Sequence, residues 1–212
     1  RQLPGRILKW MAATFGPDSQ TRERPSMTLF YNGASCGASA PDHFHFQAAD
    51  AELIPLIRLI KSHPDKDFIE SGQAQTPDGH GCRSYRVPFY HCPVQIFVTQ
   101  GSYQTAPQLI DEYLQTLPLP DGEKEPMFNM LAWYDEDRDT FTQAYIPRSK
   151  HRPACYYQQA DKQILVSPGA LDMAGHIVTI RPEDFQRLTP QMAIDILAEV
   201  GYHGISQQTH RE

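Results

Sequence analysis

Residues 43–47 read His-Phe-His-Phe-Gln, an alternation of polar and aromatic side chains. In a β-strand the two phenylalanines would face a core, while His43, His45 and Gln47 would project together from the other face. A neutral imidazole nitrogen can attack phosphorus and form a phosphohistidine when the other ring nitrogen donates its proton to a fixed acceptor. The carbonyl near His43 is within reach of the His45 ring and can be that acceptor, and Gln47 can hold a phosphate oxygen without titrating.

The segment in front of this motif, residues 32–39, carries almost no side-chain bulk. Its glycines and alanines let successive backbone N–H groups approach an anion, as phosphate-binding nests do. Gly37, Ser39 and Asn32 are therefore candidate phosphate-binding residues. Two imidazoles and an amide beside such a loop indicate phosphorus chemistry.

A metal site is a second interpretation of the same histidines. Two histidines at positions i and i+2 of a strand can share a zinc ion, and His63, His80 or His91 could supply a third ligand. Glutamine is a poor zinc ligand, however, and the sequence contains no Cys-x-x-Cys motif. A pair of purely structural histidines is the third interpretation, although it leaves the small-residue loop without a purpose.

The motif carries a resemblance to a known family. Gly37-Ala38-Ser39 followed by His43-x-His45-x-Gln47 is similar to the active-site motif of the transferase branch of the histidine-triad superfamily. That branch includes galactose-1-phosphate uridylyltransferases, diadenosine tetraphosphate phosphorylases and GDP-L-galactose phosphorylases, whereas the superfamily's hydrolases carry a third histidine in place of the glutamine. The resemblance implies that His45 is the nucleophile, that His43 orients it, and that Gln47 holds the transferred phosphate.

The resemblance extends beyond the motif and implies a domain organisation. Segments similar to those of GDP-L-galactose phosphorylases follow in the same order at residues 128–131, 141–146, 167–170, 172–176 and 197–200. It implies two histidine-triad-like lobes: residues 1–116 with the nucleophile, a linker over 117–126, and a degenerate second lobe over 127–212. In the family, strands that hold the base and ribose precede the motif by more chain than here. The first lobe is therefore expected to lack its N-terminal strands, and base recognition is not carried over.

The remaining sequence predicts the elements that must hold this motif. Apolar periodicity and caps predict helices over residues 3–15 and 49–62, from 105–107 onward, and from Thr189 to Gly201. Strands are predicted over 27–31, within 83–99 with a break near 88–93, and over 128–133, 141–146, 164–166 and 176–180. Residues 71–81 read as a loop, and the Pro/Gly-containing stretch 117–126 as a linker. The prediction is an α+β fold with antiparallel sheets flanked by helices.

Charge and composition limit the partners and the compartment. A formal net charge of −6 and a pI near 5.8 argue against nucleic acid or an anionic membrane as partner. An anionic substrate then needs a local cluster of positive charge. The densest such cluster is Arg148, Lys150, His151 and Arg152. It is either a solvated loop or a phosphate clamp containing Arg148 and Lys150.

Four cysteines without motif spacing are typical of free thiols in a reducing cytosol. No apolar run is long enough to span a membrane, so the prediction is a cytoplasmic protein.

The sequence therefore predicts a nucleotidyltransferase of the phosphorylase type that carries a nucleoside monophosphate on His45. Its partners would be a nucleotide sugar or dinucleoside polyphosphate and, as acceptor, phosphate or a sugar phosphate. No resident cofactor or metal is expected, although Mg²⁺ can arrive with substrate phosphates. The alternative from a different class is a non-catalytic nucleotide-binding or regulatory protein. A homodimer is expected if a second chain replaces the strands missing ahead of the motif.

Overall fold

The structure, a computed structural model, describes residues 26–39, 43–75, 81–100 and 106–204. The strands in these residues are β1 (Met27–Asn32), β2 (Gln47–Asp50), β3 (Ile69–Gln75), β4 (Gly81–Arg86), β5 (Gln95–Gln100), β6 (Phe128–Asp135) and β7 (Thr140–Pro147). The helices are α1 (Pro55–Ser62), α2 (Ala106–Gln115), α3 (Ala170–Met173), α4 (Pro182–Arg187) and α5 (Pro190–Val200). The helix predicted over residues 3–15 lies outside the described residues.

All seven strands belong to one sheet, in the order β2-β1-β6-β7-β5-β4-β3, and neighbouring strands are antiparallel. The β6–β7 hairpin lies at its centre, paired from Phe128 with Pro147 to Asp135 with Thr140. Strand β1 flanks this hairpin on one side and β5 on the other. The predicted α+β class with antiparallel strands is confirmed. Because strands from both sides of residues 117–126 join in this sheet, it shows no division into two lobes.

Helices cover both faces of the sheet, because side chains alternate between the faces along each central strand. On one face, Leu131 of β6 lies in a core with side chains of α1, α3 and α5. On the other face, Met130 of β6 lies in a core with Ile110 of α2. We call the first of these the α1 face. By the same alternation, Asn129 of β6 and Asn32 at the end of β1 belong to the α1 face.

The helix predicted over residues 49–62 begins later than expected, at Pro55. Before it, β2 runs to Asp50, whose side chain accepts from the backbone N–H of Glu52 at 2.9 Å. This contact caps a short 3-10 turn over Ala51–Leu53. Proline suits the first helical position, where its missing N–H would have no partner, so α1 starts at the proline instead of containing it.

Two predicted strands and part of a predicted loop were wrong. Residues 164–166 form no strand, and Ile164 and Val166 lie in a small core with Ile196 of α5. Their apolar pattern therefore reflects packing against a helix, which periodicity over three residues cannot distinguish from strand pairing. Residues 176–180 also form no strand, and the loop predicted over 71–81 is wrong at its start because β3 continues to Gln75.

Outside the histidine motif, the other predicted strands and helices are confirmed where the structure describes them. The two strands predicted within 83–99 are β4 and β5, and the strands predicted over 128–133 and 141–146 are β6 and β7. The final helix is capped as expected, since the hydroxyl of Thr189 accepts from the backbone N–H of Met192 at 3.2 Å. None of the helices in the described residues has the length and apolar character needed to cross a lipid bilayer.

Candidate active site

The histidine motif joins the sheet at its last residue. Gln47 is the first residue of β2 and pairs with Phe30 of β1. Residues 43–46 precede the sheet, so the strand predicted for the whole motif was wrong over this part. Ser39 is exposed at the end of the small-residue loop, and residues 40–42 lie outside the described part of the chain.

The aromatic and the imidazole side chains of the motif nevertheless lie in different places. The rings of Phe44 and Phe46 lie 5.0 and 5.9 Å from the ring of Tyr31. The predicted burial was wrong for Phe44, which is 51% exposed, whereas Phe46 is half-buried. The imidazole rings of His43 and His45 lie 5.1 Å apart. The phenylalanines thus gather on β1, and the two histidines contact each other.

The His45 ring is held by the backbone two residues earlier. Its Nδ1 lies 3.2 Å from the carbonyl oxygen of His43, the contact that the sequence predicts. Because a carbonyl oxygen can only accept, the proton of the neutral ring is on Nδ1 and the lone pair is on Nε2. His45 is partly exposed. Nε2 is therefore the nitrogen with which this ring could attack phosphorus or bind a metal.

The small-residue loop is closed by backbone contacts. The N–H of Cys36 donates to the carbonyl of Gly33 at 2.8 Å, which forms a tight turn. Gly37 follows with φ at +85°, in the left-handed region that favours glycine. A β-carbon at Gly37 would lie 2.6 Å from Cα of Gly169 and 2.7 Å from the carbonyl oxygen of Pro168. Gly37 is thus the point at which the loop touches the backbone ahead of α3.

The stretch predicted as a linker, residues 117–126, folds onto this loop. Glu125 Oε1 accepts from the hydroxyl of Tyr31 at 2.6 Å and from the backbone N–H of Ala34 at 3.4 Å. Burial, and then the Glu125 carboxylate, raise the pKa of Tyr31. A carboxylate therefore already contacts the backbone N–H of Ala34 in the predicted phosphate cradle, and this contact involves none of the candidates Asn32, Gly37 and Ser39.

A line of polar side chains lies on the α1 face and ends at the motif. Asn32 Oδ1 accepts from the backbone N–H of Ala170 at 2.6 Å and from Nδ2 of Asn129 at 2.9 Å. Asn32 Nδ2 lies 3.5 Å from Oε1 of Gln47. At the other end, Nη1 of Arg148 donates to Asn129 Oδ1 at 2.6 Å. Hydrogen-bonding groups therefore connect Arg148 to Gln47 without a break.

Asn129 is a site residue that the sequence analysis missed. Its side chain is fully buried, at 0% exposure, and its Nδ2 also donates to the carbonyl of Cys36 at 2.8 Å. The available signal was an amide between the apolar residues Phe128 and Met130 of a central strand. Since buried polar groups are almost always hydrogen-bonded, such a residue indicates a polar partner inside the fold.

Arg148 lies inside the protein, with 2% of its surface exposed. Besides Asn129, Nη1 contacts the carbonyl of Pro168 at 2.8 Å, and Nη2 contacts the carbonyls of Lys150 and His151 at 3.1 and 2.9 Å. Burial lowers the pKa of this guanidinium. Arg148 therefore shapes the loop after β7, and its guanidinium lacks the solvent access that a direct phosphate contact would need.

The rest of the predicted basic cluster is divided between two contacts. Lys150, whose side chain is 48% exposed, pairs with Glu199 at 3.1 Å. His151 Nε2 and Arg152 Nε lie 3.2 and 3.1 Å from the hydroxyl of Ser167. Burial, followed by the neighbouring arginines, lowers the pKa of His151. Lys150 is the member of the cluster that is most open to an anion.

His63 and His80 are two of the histidines that could supply a third ligand in the zinc interpretation. His63 stacks on Phe89 with ring centroids 3.9 Å apart, and its Nδ1 lies 2.8 Å from the carbonyl of Leu59. His80 lies outside the described residues. Within the residues that the structure describes, no three His, Cys, Asp or Glu side chains come together as metal ligands.

A cavity of about 570 Å³ lies on the α1 face, away from the motif. Its lining includes Tyr85, Val98, Trp133 and Asp135, and none of the motif residues. Asp135 is six residues further along β6 than Asn129, which corresponds to about 20 Å in a strand. The motif and this cavity are therefore separate features of the sheet.

Comparison with known proteins yields a partial family match. A family model described as a domain of unknown function, DUF4922, matches residues 18–50. The matched segment includes β1, the small-residue loop and the complete His-Phe-His-Phe-Gln motif, and it covers less than half of the chain. No curated protein and no solved structure matches the chain.

Proposed function

We propose that this protein is a nucleotidyltransferase of the phosphorylase type in which His45 carries a nucleoside monophosphate. The donor is a nucleotide sugar or a dinucleoside polyphosphate, and the acceptor is phosphate or a sugar phosphate. The observation that supports this most directly is the hydrogen bond from His45 Nδ1 to the carbonyl oxygen of His43. It fixes the tautomer in which Nε2 of this partly exposed residue is nucleophilic.

The reaction has two displacements at the same phosphorus atom. First, the Nε2 lone pair of His45 forms an N–P bond while the P–O bond to the leaving phosphate group breaks. That group departs as an anion, so no proton has to be supplied to it. Second, an oxygen of the acceptor phosphate forms a new P–O bond while the N–P bond breaks, which restores the neutral ring. The Nδ1–H to carbonyl contact stabilises the positive charge on the ring between these steps.

The neighbouring residues act on the phosphate oxygens. The amide of Gln47 lies two positions after His45 and donates to an oxygen of the transferred phosphate. Ser39 and the backbone of Gly37 hold the adjacent phosphate. No resident metal takes part, and Mg²⁺ enters only with the substrate phosphates.

A non-catalytic small-molecule-binding protein is the second candidate. The cavity of about 570 Å³ on the α1 face, remote from His45, favours it. A protein of this kind would bind a nucleotide without exchanging its phosphate groups. Binding measured by calorimetry in the absence of any exchange would support this alternative.

Isotope exchange tests the proposed function without knowledge of the acceptor. The protein is incubated with each of a panel of nucleotide sugars and the matching isotope-labelled sugar 1-phosphate. A covalent nucleotidyl intermediate should move the label into the nucleotide sugar with no second acceptor present. Binding of a nucleotide sugar without such exchange would contradict the proposal.

Gln47→Ala should lower kcat by about 10²-fold with little change in KM, the scale of losing one positioned donor to a developing charge. Steady-state kinetics with the donor identified by exchange measure both constants. The matched variant Gln47→His should raise hydrolysis of the donor relative to transfer. An equal loss in KM and kcat for Gln47→Ala would instead assign the amide to ground-state binding.

Lys150→Ala should raise the KM for the acceptor roughly tenfold, the scale of one exposed charge-assisted contact. Formation of the His45 adduct from the donor should change little. Lys162, exposed on the surface after the same basic segment, provides the control variant Lys162→Ala. Loss of adduct formation with an unchanged acceptor KM would place Lys150 on the donor side.

A further inference from the structure

The line of amides between Arg148 and Gln47 has only one consistent hydrogen-bonding pattern. We propose that Asn32, Asn129 and Arg148 are positioning residues that turn the amide of Gln47 so that its NH₂ group, and not its oxygen, faces the substrate phosphate. That the bound group is a phosphate rests on the proposed function, whereas the orientation of the Gln47 amide rests on the hydrogen bonds alone.

The orientation of Asn129 is fixed by two groups whose roles are unambiguous. A guanidinium has only donors, so the atom of Asn129 that lies 2.6 Å from Arg148 Nη1 is the oxygen. A backbone carbonyl only accepts, so the atom that lies 2.8 Å from the Cys36 oxygen is the nitrogen. Turning this amide over would create two unfavourable contacts at a fully buried position.

Asn32 inherits its orientation from Asn129 and from the backbone. The N–H of Ala170 can only donate, so the Asn32 atom 2.6 Å away is the oxygen. That oxygen also accepts from Nδ2 of Asn129 at 2.9 Å. The remaining group of Asn32, its NH₂, therefore faces Gln47 at 3.5 Å.

Gln47 completes the line. Because it meets an NH₂ group of Asn32, its oxygen faces Asn32 and its own NH₂ group is turned away from that side chain. At 3.5 Å this contact is long. The orientation of Gln47 therefore depends on Asn32, whose amide is kept from turning by its bonds to Ala170 and Asn129. Phosphate oxygens only accept, and the outward NH₂ group is the half of the amide that can bind them.

Arg148 is the charged end of the line. All four hydrogen bonds that it makes in the described residues go to uncharged oxygens, of Asn129, Pro168, Lys150 and His151. A buried cation polarises the amide that it contacts, and chains of hydrogen bonds strengthen one another. The guanidinium thus favours the same orientation that the geometry dictates.

The isosteric variant Asn32→Asp tests the proposal. Its inner oxygen can still accept from Ala170 and Asn129, but its outer oxygen would face the oxygen of Gln47 and force that amide to turn. The side-chain NH₂ protons of Gln47, assigned by their loss in Gln47→Met, should shift downfield and exchange more slowly with water, because they now donate to a carboxylate. Unchanged Gln47 signals in Asn32→Asp would overturn the proposal, whether or not the protein is an enzyme.

A kinetic cycle connects the orientation to turnover. Asn32→Asp should lower kcat by about 10²-fold in the wild-type background, as loss of the Gln47 donor does. In the Gln47→Met background the same substitution should cost no more than about twofold, because the amide that it turns is no longer present. A full loss in both backgrounds would mean that the new charge acts directly on the substrate, and would contradict the positioning role.

Two further variants test Asn129 and Arg148 with the same NMR signals of the Gln47 side chain. Asn129→Asp keeps an acceptor for Arg148 but cannot donate to Asn32, and Arg148→Lys keeps the charge but loses the fork of donors. Each should give Gln47 NH₂ signals that differ from wild type, with melting temperature as the measure of folding. Wild-type signals in Asn129→Asp would remove Asn129 and Arg148 from the proposal, because Arg148 acts through Asn129, and wild-type signals in Arg148→Lys would remove Arg148. Absence of exchange by the wild-type protein would overturn the proposed function and leave this orientation intact.

Discussion

His45→Ala should lower kcat/KM roughly 10⁴- to 10⁶-fold, the scale of losing a covalent nucleophile. The neutral ring with its proton on Nδ1 presents a lone pair at Nε2, and an alanine offers no atom that can form the N–P bond. Exchange of label between donor and sugar 1-phosphate should disappear together with overall transfer. Both are measured with the donor identified by the exchange panel.

His43→Ala is the matched control, because the acceptor for His45 is the main-chain carbonyl of residue 43 and survives the substitution. Its loss should be about tenfold, the scale of one side-chain contact. Added imidazole should partly restore His45→Gly, since a free ring can occupy the vacated space and attack the same phosphorus atom. Equal losses in His43→Ala and His45→Ala, with no rescue by imidazole, would contradict the assigned nucleophile.

Gly37→Ala should lower the free energy of unfolding by about 2–5 kcal/mol, the sum of backbone strain and steric overlap. Gly37 has a φ of +85°, and a β-carbon would meet the backbone of Gly169 at 2.6 Å and the Pro168 carbonyl at 2.7 Å. These atoms belong to main chain, which cannot move aside as the end of a flexible side chain can. Urea unfolding measures the loss.

The control variant Gly122→Ala separates backbone strain from steric overlap. Gly122 has a similar φ of +81°, but nothing lies within 4 Å of the position of its β-carbon. It should therefore cost only about 1 kcal/mol, from backbone strain alone. Equal costs for the two variants would show that the backbone of Pro168 and Gly169 moves aside for the β-carbon, and would contradict the steric part of the prediction.

Local sequence patterns predicted those helices and strands that are determined by residues close together in the chain. The β6–β7 hairpin follows from two apolar runs joined by an acidic turn, and the start of α5 follows from Thr189 as N-cap with proline at the next position. The acceptor for His45 is also local, because it lies only two residues away in the chain. In these cases a few neighbouring residues determine the geometry.

The remaining parts of the site depend on contacts between distant residues. Asn129 bonds to Asn32, 97 positions earlier, and Glu125 bonds to Tyr31, 94 positions earlier. A charge-rich stretch after β7 predicts solvated side chains, yet Arg148 is buried because carbonyls and Asn129 surround it. Sheet order decides these contacts, and no local period in the sequence encodes the order in which seven strands pair.

Intact-protein mass spectrometry tests the His45 chemistry most directly. The protein is incubated with a nucleotide donor in the absence of acceptor, alongside His45→Ala and His43→Ala. The expected result is the addition of one nucleoside monophosphate to the wild-type protein, an adduct that is labile in acid as phosphoramidates are, retained in His43→Ala and absent from His45→Ala. An adduct that persists in His45→Ala and maps to another residue would contradict the mechanism.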